Sequence, residues 1–234
     1  MAAATALARA MLEANALPSS LAHPARLEAW GGAGTGLWPR LREVLGRLAA
    51  DTRVAGEGIL HRHVSAALLR DPALGLGWIE SPEDPALALC AAPAHLFDSL
   101  QRHAGLVLLG PAIRQVIARA ELAALEMQLG PGSLEFVRRQ APRLWAGGGG
   151  APALRVEAAT VSEQTLRWGA EVLARAFEAA SPPVTRRGHL RLPPQVGREP
   201  LPAGLDEPHQ ALALARALLH ELDAPWLSLF PASP

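Results

Sequence analysis

Lysine is absent from the 234-residue chain, so all 22 basic side chains are arginine. Without lysine there is no P-loop phosphate cradle, no Schiff base and no lysine general base. Tyrosine is missing too, which removes phenol acid/base chemistry. One cysteine, Cys90, rules out an internal disulfide framework and a multi-cysteine zinc site. Charge of one sign is not in excess: 22 acidic side chains balance the arginines, and the basic footprint of a nucleic-acid binder is lacking. Long apolar runs are lacking as well. The longest, Ala104 to Ile113, covers about ten residues against roughly 20 for a bilayer span. The Ala-rich start, Met1 to Leu17, carries Arg9 and Glu13 and has no charged n-region. It therefore reads as a short helix packing through Leu7, Met11 and Leu12 instead of a secretory signal. A lone thiol without an export signal leads us to expect a cytoplasmic protein.

What the chain does have is apolar residues, 50% of the total, enough for a buried core. Its 21 glycines and 21 prolines fall between periodic segments and act as punctuation. Gly31–Gly36 reads as a loop, because the third glycine of G-x-G-x-x-G would fall on Leu37 and no strand precedes it. The stretch from Asp71 to Pro85 is irregular and holds Trp78. Four glycines, Gly147–Gly150, suggest a connection over 147–152 between an N-terminal lobe (1–146) and a C-terminal lobe (153–234), with packing as a single domain the alternative.

Between these breaks the period is helical. Trp38 to Ala50 predicts a helix with Leu41, Leu45 and Leu48 inward, and Glu57 to Arg70 one with Leu60, Val64 and Leu68 inward. Pro93 opens a helix whose inward face carries Leu96, Phe97, Leu100, Ala104, Val107 and Leu108. Gly110-Pro111 would start a new one with Ile113, Val116, Ile117, Ala120, Ala124 and Met127 buried. Ser133 is placed as the N-cap of a third, which Pro142 would end early. Thr160 and Glu163 have capping-box spacing ahead of a stripe including Leu166, Gly169, Leu173 and Phe177. His189-Leu190-Arg191-Leu192 alternates, which suggests a short extended segment near 189–193. Asp206 and Pro208 open a last helix with Leu212, Ala215, Leu218 and Leu219 inward. The expected fold is all-α, with two lobes.

Chemistry is sparse in this pattern. His61 and His63 flank Arg62, and an i, i+2 pair on a helix diverges by about 200°. His95 and His103 lie two turns apart, roughly 12 Å. Neither pair has metal-chelating geometry, and there is no H-E-x-x-H or G-x-S-x-G. Cys90 sits among Leu89, Ala91 and Ala92 and reads as a buried structural thiol. No cofactor or metal is expected. Glu80, Glu83 and Asp84 form an acidic, proline-rich loop suited to solvent or to docking a basic partner. Two arginine groups suggest protein contacts instead: Arg138, Arg139 and Arg143 beside Trp145, and Arg186 and Arg187 with Arg191 and Arg198 beyond. Cations neutralising a helix C-terminus account equally for the first group. Two other classes stay open: a helical enzyme or ligand binder using His61, His63 or the loop near Glu83, and a secretion chaperone or helical regulatory subunit, which a stable homodimer in light scattering would favour.

The run Arg102-His103-Ala104-Gly105-Leu106-Val107-Leu108-Leu109-Gly110-Pro111-Ala112-Ile113-Arg114 resembles the central segment of the K-family proteins of bacterial type III secretion systems (the YscK, PscK and SctK type). Leu17-Pro18-Ser19-Ser20-Leu21-Ala22-His23-Pro24 is similar to their early segment. Leu166 to Phe177 resembles their second-lobe helix, and His189-Leu190-Arg191-Leu192-Pro193 the element after it. Leu212 to Phe230 fits their terminal helix. The two glycine tracts stand as insertions relative to that pattern. The resemblance implies a mostly helical, non-enzymatic adaptor of the injectisome sorting platform, monomeric in isolation and cytoplasmic at the inner-membrane base. Its implied partners are the cytoplasmic domain of the inner-membrane ring protein (D component) and the pod protein (Q component). The stator (L component) and the export ATPase are reached through the pod. The resemblance supplies no catalytic residue.

Overall fold

Proline sets where several helices begin, since its missing N–H costs nothing in a first turn. In a computed structural model, which describes residues 2–31, 43–44, 47, 50–145, 156–197 and 199–231, helices open at Pro18, Pro24, Pro182 and Pro208. The described residues form twelve helices and no strand, so the all-α expectation holds. These are α1 (Ala2–Ala16), α2 (Pro18–Leu21), α3 (Pro24–Gly31), α4 (Ala50–Arg70), α5 (Leu87–Cys90), α6 (Ala94–Arg114), α7 (Arg119–Leu129), α8 (Ser133–Arg139), α9 (Ala141–Leu144), α10 (Val161–Phe177), α11 (Pro182–Arg191) and α12 (Pro208–Leu227). The glycine tracts and most of the helix expected over 38–50 lie outside the described residues.

The helices gather into two units, and neither is continuous in sequence. The first contains residues 1–92, 180–194 and 229–234; the second contains 93–179 and 195–228. This differs from the division expected at 147–152. The reason is α11, which lies in the expected C-terminal lobe but packs with α5 and α2.

In the first unit Leu27, Leu68, Leu76 and Leu190 form a core with Trp30, Leu60, Val64 and Leu74 against it. Ser19 of α2 fastens α4: its N–H donates to Ser65 Oγ (3.1 Å) and its hydroxyl to the His61 carbonyl (2.9 Å). The His23 N–H donates to the Leu190 carbonyl at 2.7 Å. Arg26 donates to the carbonyls of Leu192 (2.8 Å) and Pro193 (3.0 Å). The segments 17–24 and 189–193 are thereby joined. Residues 189–191 are helical, not extended; Leu192 (ψ 155°) and Pro193 lie beyond the helix end. The buried set Val184, Arg187, Gly188, Leu190 and Arg191 has helical spacing, concealed in the sequence because two of its members are arginine.

In the second unit α6, α10 and α12 pack on one another, with α7, α8 and α9 alongside. α6 and α10 cross through glycine. A Cβ on Gly105 would lie 1.8 Å from the Thr165 carbonyl oxygen, and one on Gly169 would lie 1.7 Å from that of Gln101. Only residues without a side chain admit backbones this close. Phe97 and Phe177 stack at 6.4 Å between centroids, and the Gln101 amide donates to the Leu166 carbonyl at 2.8 Å. Fully buried Phe177, Leu173, Leu106 and Leu109 each contribute roughly 1.5–3 kcal/mol.

Three local expectations are corrected. α6 runs through Gly110-Pro111 to Arg114, because a proline in the last turns forfeits one backbone bond while buried Ile113 holds the end in place. α7 buries Leu125 and Leu129 and leaves Met127 79% exposed, while Ile117 falls in the non-helical link before it and is 90% exposed, so the inward face is not the one periodicity favoured. In α1 Leu12 faces solvent, while Ala10, Ala14 and Asn15 are buried. Two caps also differ. Gly132 (φ +79°) precedes α8, and buried Ser133 bonds back to the Leu129 carbonyl. Thr160 sits at the N-cap of α10 without a side-chain cap bond.

Candidate functional site

The two arginine groups singled out in the sequence have opposite fates. Arg187 is 3% exposed and spends its guanidinium on backbone. It donates to the carbonyls of Ala14 (2.9 Å), Leu76 (2.7 Å), Gly77 (2.7 Å) and Pro183 (3.2 Å). One turn on, buried Arg191 donates to the carbonyls of Cys90 and Ala92, both at 2.6 Å. A charge-assisted bond to several carbonyls suits arginine because its five donors fan out in a plane. Arg187 is therefore a strut inside the first unit and is withdrawn from the expected contact surface. Arg186 is exposed and donates to the Gly75 carbonyl. Arg198 lies outside the described residues.

Arg138, Arg139 and Arg143 all reach solvent at the α8–α9 corner of the second unit. Gln140 interrupts the helix, with Pro142 in the first turn of α9, and the corner shows three cations over six residues. Arg139 pairs with Glu135 at 3.0 Å. Such an exposed i, i+4 pair is worth only a few tenths of a kcal/mol. Arg138 and Arg143 have no carboxylate partner among the described residues. Trp145, half-buried and extended (φ −152°), ends the corner. With Leu144 it forms one wall of a largely apolar groove of about 210 Å³, and Leu205, Gln210, Ala213, Leu214 and Ala217 form the other. Cations beside an apolar slot that holds an indole edge suit recognition of another protein's surface.

The first unit has a second concavity, absent from the sequence reading. It is an open cleft of about 480 Å³ lined by Trp78, Glu80, Ser81, Glu83, Asp84, Ser181 and Pro183. Its acidic loop was visible in the sequence, but the exposed tryptophan and the wall from α11 were not.

The histidines do not assemble with these carboxylates. His61 shares a 3.0 Å hydrogen bond with Ser19 Oγ, and burial lowers its pKa against the pull of Glu57. His103 bonds to the Ser99 carbonyl at 2.7 Å and meets the Phe136 ring edge-on at 4.7 Å. Burial lowers its pKa too. The Cys90 thiol is fully buried and pushed up to about 11 by desolvation, although Arg191 and Arg187 pull the other way. It is not a nucleophile at neutral pH. Among the described residues no three His, Cys, Asp or Glu side chains converge as a metal site would require. No helix there is long and apolar enough to cross a membrane.

No curated protein and no solved structure matches the chain significantly. A family model described as YOP proteins translocation protein K (YscK) matches residues 40–225, most of the length. The matched span contains the α6–α10 crossing and both arginine groups. The chain belongs to the YscK family of type III secretion proteins, components of the secretion apparatus and not a known enzyme family.

Proposed function

We propose that this protein is a non-enzymatic adaptor of the type III secretion sorting platform, cytoplasmic and peripheral to the inner-membrane base. In this reading it links the cytoplasmic domain of the inner-membrane ring protein (D component) to the pod protein (Q component), and through the pod to the stator (L component) and export ATPase. The observation that carries it is the α8–α9 corner, where Arg138 and Arg143 stand without a carboxylate partner beside the Trp145 groove. The buried arginines add support, since they are committed to holding backbone and leave the exposed ones for contact. Charge reversal of Arg138, Arg139 and Arg143 to glutamate is expected to weaken capture of the purified ring domain or pod protein at least tenfold, with unchanged thermal unfolding. Equal capture by wild type and variant removes the corner from the interface.

A further inference from the structure

Trp78 is 56% exposed, although the backbone on both sides of it is fastened to the interior. On one side Arg187 holds the carbonyls of Leu76 and Gly77. On the other, buried Asn15 bonds Ile79 twice, accepting from its N–H at 2.8 Å and donating to its carbonyl at 3.0 Å. The side chains of Leu76 and Ile79 are each 2% exposed. The indole between them is thus displayed from a fixed base, on the wall of the 480 Å³ cleft. A cavity of that size accommodates a side chain together with some of its flanking peptide.

The polar groups of the cleft fall into two kinds. Asp84 is already committed, accepting from the N–H groups of Ser181 (2.9 Å) and Ala86 (3.1 Å). Glu80 and Glu83 are exposed and have no cationic partner among the described residues. The nearby cation, Arg186, is turned to the Gly75 carbonyl. An aromatic face beside two uncompensated carboxylates complements one chemistry best, a planar cation that stacks and donates at once.

We propose that this cleft receives an arginine side chain from a segment of a partner protein. The guanidinium lies on the Trp78 indole and pairs with Glu80 and Glu83, and Ser181 and Pro183 wall the adjoining peptide. The site is separate from the α8–α9 corner and goes beyond the adaptor reading. It is testable without any secretion component, so failure of one proposal leaves the other standing.

The test is titration of the full-length ¹⁵N-labelled protein with acetyl-Gly-Arg-Gly-Arg-Gly-amide at about 0.15 M salt, where purely long-range attraction is screened. The lysine version of the peptide is the control. The Trp78 indole N–H resonance, assigned by its loss in Trp78→Ala, is expected to shift saturably. Trp78→Ala and Glu80→Gln/Glu83→Gln are each expected to weaken binding at least about fivefold while the thermal midpoint holds. The carboxamide pair, changed only at the surface, decides the matter if Trp78→Ala misfolds. An unmoved indole signal, equal binding by the carboxamide variant, or equal affinity for the lysine peptide overturns the proposal.

Discussion

Gly105 and Gly169 meet where α6 crosses α10, and a Cβ on Gly169 would lie only 3.1 Å from the Gly105 nitrogen. The still closer obstacles are the carbonyl oxygens of Thr165 and Gln101, which are backbone and cannot rotate away. Gly105→Ala and Gly169→Ala are therefore each expected to cost about 3 kcal/mol or more, beyond the usual range for an overpacked core. Gly110→Ala is the control, since its nearest obstacle is the movable tip of Arg114 at 3.2 Å. Urea unfolding followed by circular dichroism separates the three.

Arg187→Met keeps the stem but removes every donor that holds Ala14, Leu76, Gly77 and Pro183. Buried carbonyls left bare make this expensive, about 3–5 kcal/mol. Arg187→Lys recovers only part, because one ammonium cannot span so many acceptors. Arg186→Ala, in the exposed neighbour, is expected to stay within about 0.5 kcal/mol of wild type. The same denaturation experiment reads all three.

Burial lowers the pKa of both His61 and His103, so the unfolded chain binds protons at these rings more readily than the native one. The stability that depends on their neutral forms is complete above the unfolded value, about 6.5, and is lost as pH falls through the lower native value. The thermal midpoint is expected to fall between about pH 7 and pH 5, and His103→Gln to flatten that slope. A slope unchanged in His103→Gln would assign the acid sensitivity elsewhere.

Cys90 is shielded both by burial and by protonation. Ellman's reagent at about pH 8 is expected to find no thiol in the native protein and one per chain in denaturant. Rapid native labelling would show that the α5 region opens easily.

Helix type was legible wherever apolar residues alone marked the inward face, as in α12. It was misread where a helix carries two apolar faces or buries charge. On α7 the stripe Ala120, Ala124 and Met127 competes with the one through Leu125 and Leu129, and only packing decides between them. On α11 the arginines at 187 and 191 look like surface residues until the carbonyls of distant segments are in place. The discontinuous units were invisible for a related reason: α11 joins α5 and α2 from about a hundred residues away or more, partly through those same two arginines. Of the interaction surfaces, the α8–α9 corner could be read because its residues are neighbours in sequence. The Trp78 cleft could not, because α11 supplies one wall.

Arg187 and Leu190 join the first unit only after the ribosome has made residues 93–179, all belonging to the other. Until then the nascent segment before Pro93 lacks the donors for its own loop carbonyls and one side of its leucine cluster. Vectorial synthesis therefore lays down α6 and α10 of the second-starting body while the first still awaits its keystone, and premature termination anywhere before residue 187 leaves the segment before Pro93 half-built.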